Sequence, residues 1–280
     1  MLQFVRHYLI AVQFFTRIPI TGALAQWVGF SPAMLRASAA HFPGVGCLVG
    51  ALVAALSVVL WWALPQNFYA PLVVAALGTA AGILLTGAFH EDGLADVADG
   101  LGGSYDRNRA LEIMKDSRVG AFGAIAVALA LLTKVALVAQ LVALGASALL
   151  TGLLLGHVVS RTWPLLLIAL LPHVGDVAGS KSKPLADQIS AGALAAALLW
   201  CAVAVAVWAS LHALLPPPST APPWAALGAA LACSALAFVW MWRWFRKRLQ
   251  GFTGDCLGAT QQVCELAFYL GLALGWGAGI

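Results

Sequence analysis

Charge is what this chain has least of. Only 9% of its residues are Asp, Glu, Lys or Arg, against about 25% in an ordinary soluble domain. A solvated globular enzyme is excluded, because so few ionised groups cannot coat one. Paired cysteines are missing too: Cys47, Cys201, Cys233, Cys256 and Cys264 are scattered, mostly within apolar runs, and form no CxxC. Neither a disulfide framework nor a zinc site is expected. The first twenty residues are apolar but carry Arg6, His7 and Arg17 and end near Pro19 without a small-residue cleavage site. No cleaved signal peptide is expected.

What is present is hydrocarbon: 62% hydrophobic residues and a mean hydropathy of +0.91. The composition is that of an integral membrane protein. With roughly 20 apolar residues per crossing, 280 residues leave room for about six to eight helices and little else. Hydropathy and breaker residues place spans near 43–64, 70–89, 119–142, 146–171, 191–215, 224–244 and 257–278. The predicted fold is all-α: a polytopic transmembrane helical bundle of about seven spans, forming a single integral-membrane domain over 1–280. Because Arg6 and Arg17 interrupt it, the N-terminal LQFVRHYLIAVQFFTRIPI reads as an interfacial or half-inserted helix. No nucleic-acid partner is expected; the lipid bilayer is.

Charge placement tests the count. An odd number of spans puts 1–42, 90–118, 172–190 and 245–256 on one side, and these segments with Arg243 hold thirteen of the fifteen Lys and Arg residues. The opposite connections, PQNFY at 65–69, the link near 143–145 and LLPPPSTAPP at 214–223, carry no charge. By the positive-inside rule the charged side is cytoplasmic.

Seven of the eleven acidic residues fall between Glu91 and Asp116, on that side, in the predicted 90–118 loop. Ionised groups are costly at bilayer depth, so gathering them at one edge points to a cation, or to a substrate held through one. Asp92, Asp96 and Asp99 are spaced i, i+4, i+7, which puts three carboxylates on one helical face. Their repulsion is relieved by protonation or by a divalent cation. Oxygen donors without thiolates, with only His90 nearby, favour Mg²⁺, which in such sites uses one or two carboxylates plus phosphate oxygens. A phosphate-bearing substrate follows. Arg107, Arg109, Lys115 and Arg118 come next and offer phosphate partners, with Asp116 between the last two. The alternative is a solvated acidic loop with Gly turns at Gly93, Gly100, Gly102 and Gly103.

Two further features belong to the site on this reading. Asp255, in GFTGDCLGATQQVCE, lies on the same side after Arg246, Lys247 and Arg248, as a second wall or a cap for the last helix. Arg161 shares a helix face with His157 just before Pro164, where a kink would open a polar pocket; a purely structural interhelical bond is the alternative. Lys134 and Glu265 also stand at membrane depth, and Lys134 either snorkels or finds a buried partner.

Ordered blocks across the chain resemble the cobalamin (5′-phosphate) synthases, also called adenosylcobinamide-GDP ribazoletransferases. They are FFTRIPI at 14–20, HFPGVGCLVGA at 41–51, FHEDGLADVADGLGG at 89–103, ALEIMKDSRVGAFG at 110–123 and FTGDCLGA at 252–259, with Glu265 after them. Between about 125 and 240 the likeness is weak beyond Arg161 and SKSKPLAD at 180–187. The resemblance implies an inner-membrane, Mg²⁺-dependent enzyme with its site on the cytoplasmic side. It would join adenosylcobinamide-GDP to α-ribazole or its 5′-phosphate and release GMP. Asp92, Asp96 and Asp99 would hold the metal. Arg109, Lys115, Asp116, Arg118, Arg161 and Asp255 would contact substrate. Glu91, His90 or a non-ligating Asp would take the hydroxyl proton, and the residues do not choose among them.

Rival classes fit less well. A CDP-alcohol phosphotransferase continues from Asp-Gly to Ala-Arg and two further spaced Asp residues, whereas Asp99-Gly100 is followed by LGGSYDRNRA. A prenyltransferase needs a second Asp-rich loop, and the second patch has only Asp255. A transporter would place its ionisable groups near midplane on broken helices, and here most crowd one edge.

Overall fold

The structure, a computed structural model, describes residues 2–175, 189–214 and 223–277. SKSKPLAD at 180–187 and most of the Pro-rich connection at 214–223 lie outside the described residues. Apolar runs fold into helices because a backbone in hydrocarbon must satisfy its own hydrogen bonds. Among the described residues there is no strand, only an isolated bridge between His173 and Phe252.

Helix α1 (Leu2–Phe15), α2 (Gly22–Val28) and α3 (Pro32–Ser38) form the N-terminal cap, and α4 (Phe42–Ala63) and α5 (Ala70–Thr86) follow as long apolar helices. Next come α6 (Phe89–Gly103), α7 (Arg107–Ile113), α8 (Ala121–Ala143), α9 (Ala146–Leu170), α10 (Ala191–Leu214), α11 (Pro223–Arg248) and α12 (Gly254–Gly277). At about 1.5 Å per residue α1 is too short to cross a bilayer, and it buries only one side, through Ile10, Ala11, Val12 and Phe15. That suits the interfacial helix predicted for this segment.

A long helix occupies each expected span. Five of these regions are apolar enough to cross alone, those containing α4, α8, α9, α10 and α11, and α5 joined to α6 is a sixth candidate bent by 89°. α12 has the length for a seventh, but Asp255, Gln261, Gln262 and Glu265 make it too polar to qualify by composition. It packs instead against α6, α8, α9 and α11 as the central helix of the bundle. Small residues let these helices approach closely. A Cβ on Gly50 would come within 2.5 Å of the Leu153 carbonyl on α9, and one on Gly271 within 2.5 Å of the Ala229 carbonyl on α11.

The turn after α5 positions the site. Gly87 (φ 69°) and Ala88 (φ 58°) are both left-handed, which stops α5 and sends α6 off at 89°. α6 therefore runs across the end of the bundle, and we read it as lying outside the spanning segments. The expected 90–118 loop is mostly helical, as α6 and α7. Backbone bonds from Val174 to Phe252 (2.9 Å) and from Phe252 to Pro172 (3.0 Å) fasten the end of α9 to the approach to α12, which brings Asp255 toward α6.

Candidate active site

Along α6 the acidic residues meet three different environments. Asp92 is exposed, Asp96 is half-buried and Asp99 is buried. The start of α12 crosses at Gly93, where an added Cβ would lie 2.8 Å from the Asp255 carbonyl oxygen, so no larger residue fits without moving α12. The crossing gathers Asp92, Asp96, Asp99 and Asp255 into one acidic neighbourhood. Burial, then the Asp255, Asp92 and Asp99 charges, push the Asp96 acid up to about 7.

Asp99 does a different job from its neighbours. Its carboxylate accepts the Gly120 N–H at 2.7 Å and the Gly123 N–H at 2.8 Å, both at the N-terminus of α8. It thus caps α8 from a distance and joins α6 to it. Both oxygens are engaged, which leaves Asp92 and Asp96 as the less encumbered donors of the predicted trio. Among the described residues no three His, Cys, Asp or Glu side chains converge as a ready metal cage. Two hard carboxylates beside a third on α12 nevertheless fit Mg²⁺, whose remaining positions are commonly filled by water and phosphate.

The basic segment lies on the other side of Asp99. An open cleft of about 540 Å³ is walled by Asp99, Gly103, Arg109, Glu112, Asp116, Arg118 and Phe122, among others. Arg109 pairs with Glu112 at 2.9 Å and Arg118 with Asp116 at 2.5 Å, all on the exposed side. The Arg118 hydrogen bonds hold the Asp116 acid down at about 2. Lys115 is exposed and is not among the cleft walls. Arg107 and Arg248 serve the fold instead: Arg107 donates to the Leu249 carbonyl at 2.7 Å, and Arg248 to that of Ser104 at 2.5 Å. Asp106 caps α7 through the Arg109 N–H at 2.8 Å.

Beneath α6 lies a buried polar network. Lys134 does not snorkel: its ammonium meets Glu265 at 2.9 Å, with side-chain exposures of 9% and 1%. Glu265 also accepts from Tyr269 at 2.6 Å and from Gln261 at 2.7 Å. Gln262 donates to Gln261 and, at 3.0 Å, to Glu91 on α6. Arg161 is 2% exposed and spends its Nη1 on the His157 carbonyl and ring, with its guanidinium 5.7 Å from the Phe42 ring centre. It is therefore sealed in the interior and does not line the cleft. Two cations, Lys134 and Arg161, face two carboxylates, Glu91 and Glu265. His90, Glu91, His157 and Arg161 each keep one buried polar atom without a hydrogen-bond partner among the described residues.

Gln261, Gln262 and Tyr269 were missed at the sequence level. Their signal was there, as the amide of Gln261, the carboxylate of Glu265 and the hydroxyl of Tyr269, one turn apart on a largely apolar helix.

Known proteins resemble the chain over nearly its whole length. Residues 7–273 match the family model described as Cobalamin-5-phosphate synthase. A protein of Albidiferax ferrireducens called adenosylcobinamide-GDP ribazoletransferase is 66% identical over 98% of this chain and 100% of its own length. Relatives of the same name from Polaromonas naphthalenivorans and Leptothrix cholodnii are 61% and 44% identical, each over 98% of this chain and over 99% and 96% of their own. No solved structure matches. With nearly its whole length matched, the chain belongs to the Cobalamin-5-phosphate synthase family.

Proposed function

We propose that this chain joins adenosylcobinamide-GDP to α-ribazole, or to its 5′-phosphate, and releases GMP, acting at the cytoplasmic face of the inner membrane. The names of its relatives support the substrates, and the charge asymmetry of its connections supports the side. The observation that carries the chemistry is the crowding of Asp92, Asp99 and Asp255 around the half-buried Asp96. Such a site binds a divalent cation more readily than it tolerates its own charges.

In the reaction a ribazole 3′ hydroxyl attacks the phosphorus on the cobinamide arm. A new P–O bond forms as the pyrophosphate bridge breaks, and GMP departs with the bridging oxygen. Asp92 and Asp96 would hold Mg²⁺, with Asp255 as the facing wall. When bound, the ion supplies charge neutralisation on the phosphate oxygens. Arg109 and Arg118 exchange Glu112 and Asp116 for phosphate, which exposed ion pairs permit at little cost. Glu91 and His90 are the candidate proton acceptors. The unpartnered Glu91 oxygen favours Glu91, and Gln262 fixes its orientation through the other oxygen.

GMP release by purified protein from adenosylcobinamide-GDP and α-ribazole tests the proposal. Release should require Mg²⁺ and stop with chelator. Unchanged release in Asp92→Asn and Asp96→Asn would exclude this cluster as the metal site.

A further inference from the structure

A pocket beside the acidic helix has walls that phosphoryl transfer does not explain. It lies where α1, α4, α6, α9 and α12 meet, with Phe15, Phe42, Phe89, His90, Ile168 and Leu257 among its walls, and its volume is about 40 Å³. Pyrophosphate and Mg²⁺ chemistry needs charge, yet this lining is almost wholly apolar and aromatic. His90 is the one polar side chain among the described residues of that lining. His90 is 1% exposed, its ring stacks on Phe42 at 5.6 Å and 13°, and its Nε2 has no partner among the described residues. Burying an imidazole nitrogen unpaired is costly, so the position makes sense with a ligand atom opposite it.

We infer that this pocket receives the aromatic base of the ribazole nucleophile. The inference rests on the reaction proposed above and names where one of its two substrates docks. Chemistry separates the candidate occupants. Guanine carries a carbonyl, an amino group and several ring nitrogens and needs several polar partners, whereas the pocket offers one. A corrin is too large, and a phosphate has nothing here to pair with. The dimethylbenzimidazole of α-ribazole has a hydrocarbon ring, two methyl groups and a single free ring nitrogen. Aromatic walls stack with the first, apolar walls accept the second, and His90 Nε2 pairs with the third.

Placement agrees. His90 directly precedes Glu91 and Asp92, and Gly254 and Gly258 of the pocket bracket Asp255. A base seated here brings its ribose to the carboxylates. The cavity is smaller than a bicyclic base, and Phe89 is the gate: the residue is 38% exposed and follows the left-handed Gly87 and Ala88. Entry of the base displaces that ring outward.

The test uses full-length protein in detergent and reads GMP release at varied concentrations of each substrate. Ile168→Trp fills the pocket. It should raise the KM for α-ribazole by about tenfold or more while the KM for adenosylcobinamide-GDP stays within about twofold. Phe89→Ala, at a partly exposed position, should narrow the preference for dimethylbenzimidazole riboside over benzimidazole riboside. If Ile168→Trp melts far below wild type, Phe89→Ala alone decides. Unchanged base preference, or a shift confined to the corrinoid KM, overturns the assignment. No GMP release from the wild type overturns the reaction itself, and the pocket assignment with it.

Discussion

Asp96 and Asp99 sit one turn apart on α6 and should respond to mutation in opposite ways. The Asp96 acid lies near 7, above its ordinary 3.8, so between those values native Asp96 keeps a proton that the unfolded chain has released. Without metal, stability therefore falls as pH rises from about 4 to about 7, then levels. Mg²⁺ at pH 8 should raise the apparent melting temperature. Asp96→Asn should remove that response, flatten the pH window and abolish turnover, while leaving metal-free protein at least as stable. Scanning fluorimetry in detergent with and without Mg²⁺ checks each point. Asp99→Ala instead strips two N–H groups of their acceptor, and should cost about 1–2 kcal/mol of stability with activity falling alongside. The spacing of Asp92, Asp96 and Asp99 was legible because a helix repeats locally. The capping role of Asp99 was not, since its partners stand 21 and 24 residues away.

Helices α8 and α12 are joined through the Lys134 and Glu265 pair, and removing one partner leaves a buried charge. Lys134→Met should cost about 3–5 kcal/mol, seen as loss of the monodisperse fraction on size-exclusion chromatography. Adding Glu265→Gln should recover much of that loss, because the interior is again balanced between Arg161 and Glu91. A double variant no better than the single one would mean that this pair does not carry the coupling. Apolar runs and their breakers were enough to place the long helices. The bend at Gly87 was not legible: a span was expected to run on to 89, and the left-handed pair after Thr86 ends it early. Nor did α12 look central, because hydropathy counts its amides against it and cannot register that neighbouring helices satisfy them.

Seven spans would put the acidic helix and the N-terminus on the same face of the molecule. Truncated reporter fusions after Phe68 and after Asn108 should report opposite sides, with the latter cytoplasmic. The same side for both would break the seven-span topology. The ion pair at the centre also has a consequence for how the protein is made. Lys134 leaves the ribosome well before Glu265 is synthesised, an interval of about ten seconds at ordinary elongation rates. During that interval α8 holds an unneutralised ammonium that the bilayer disfavours, so α8 cannot settle until the last helix arrives. On this reasoning the arrival of α12 is what neutralises α8. Chains truncated before α12 should be cleared by membrane proteases within minutes in a pulse-chase, whereas truncation combined with Lys134→Met should survive longer. Quality control would then read the length of this protein from its charge.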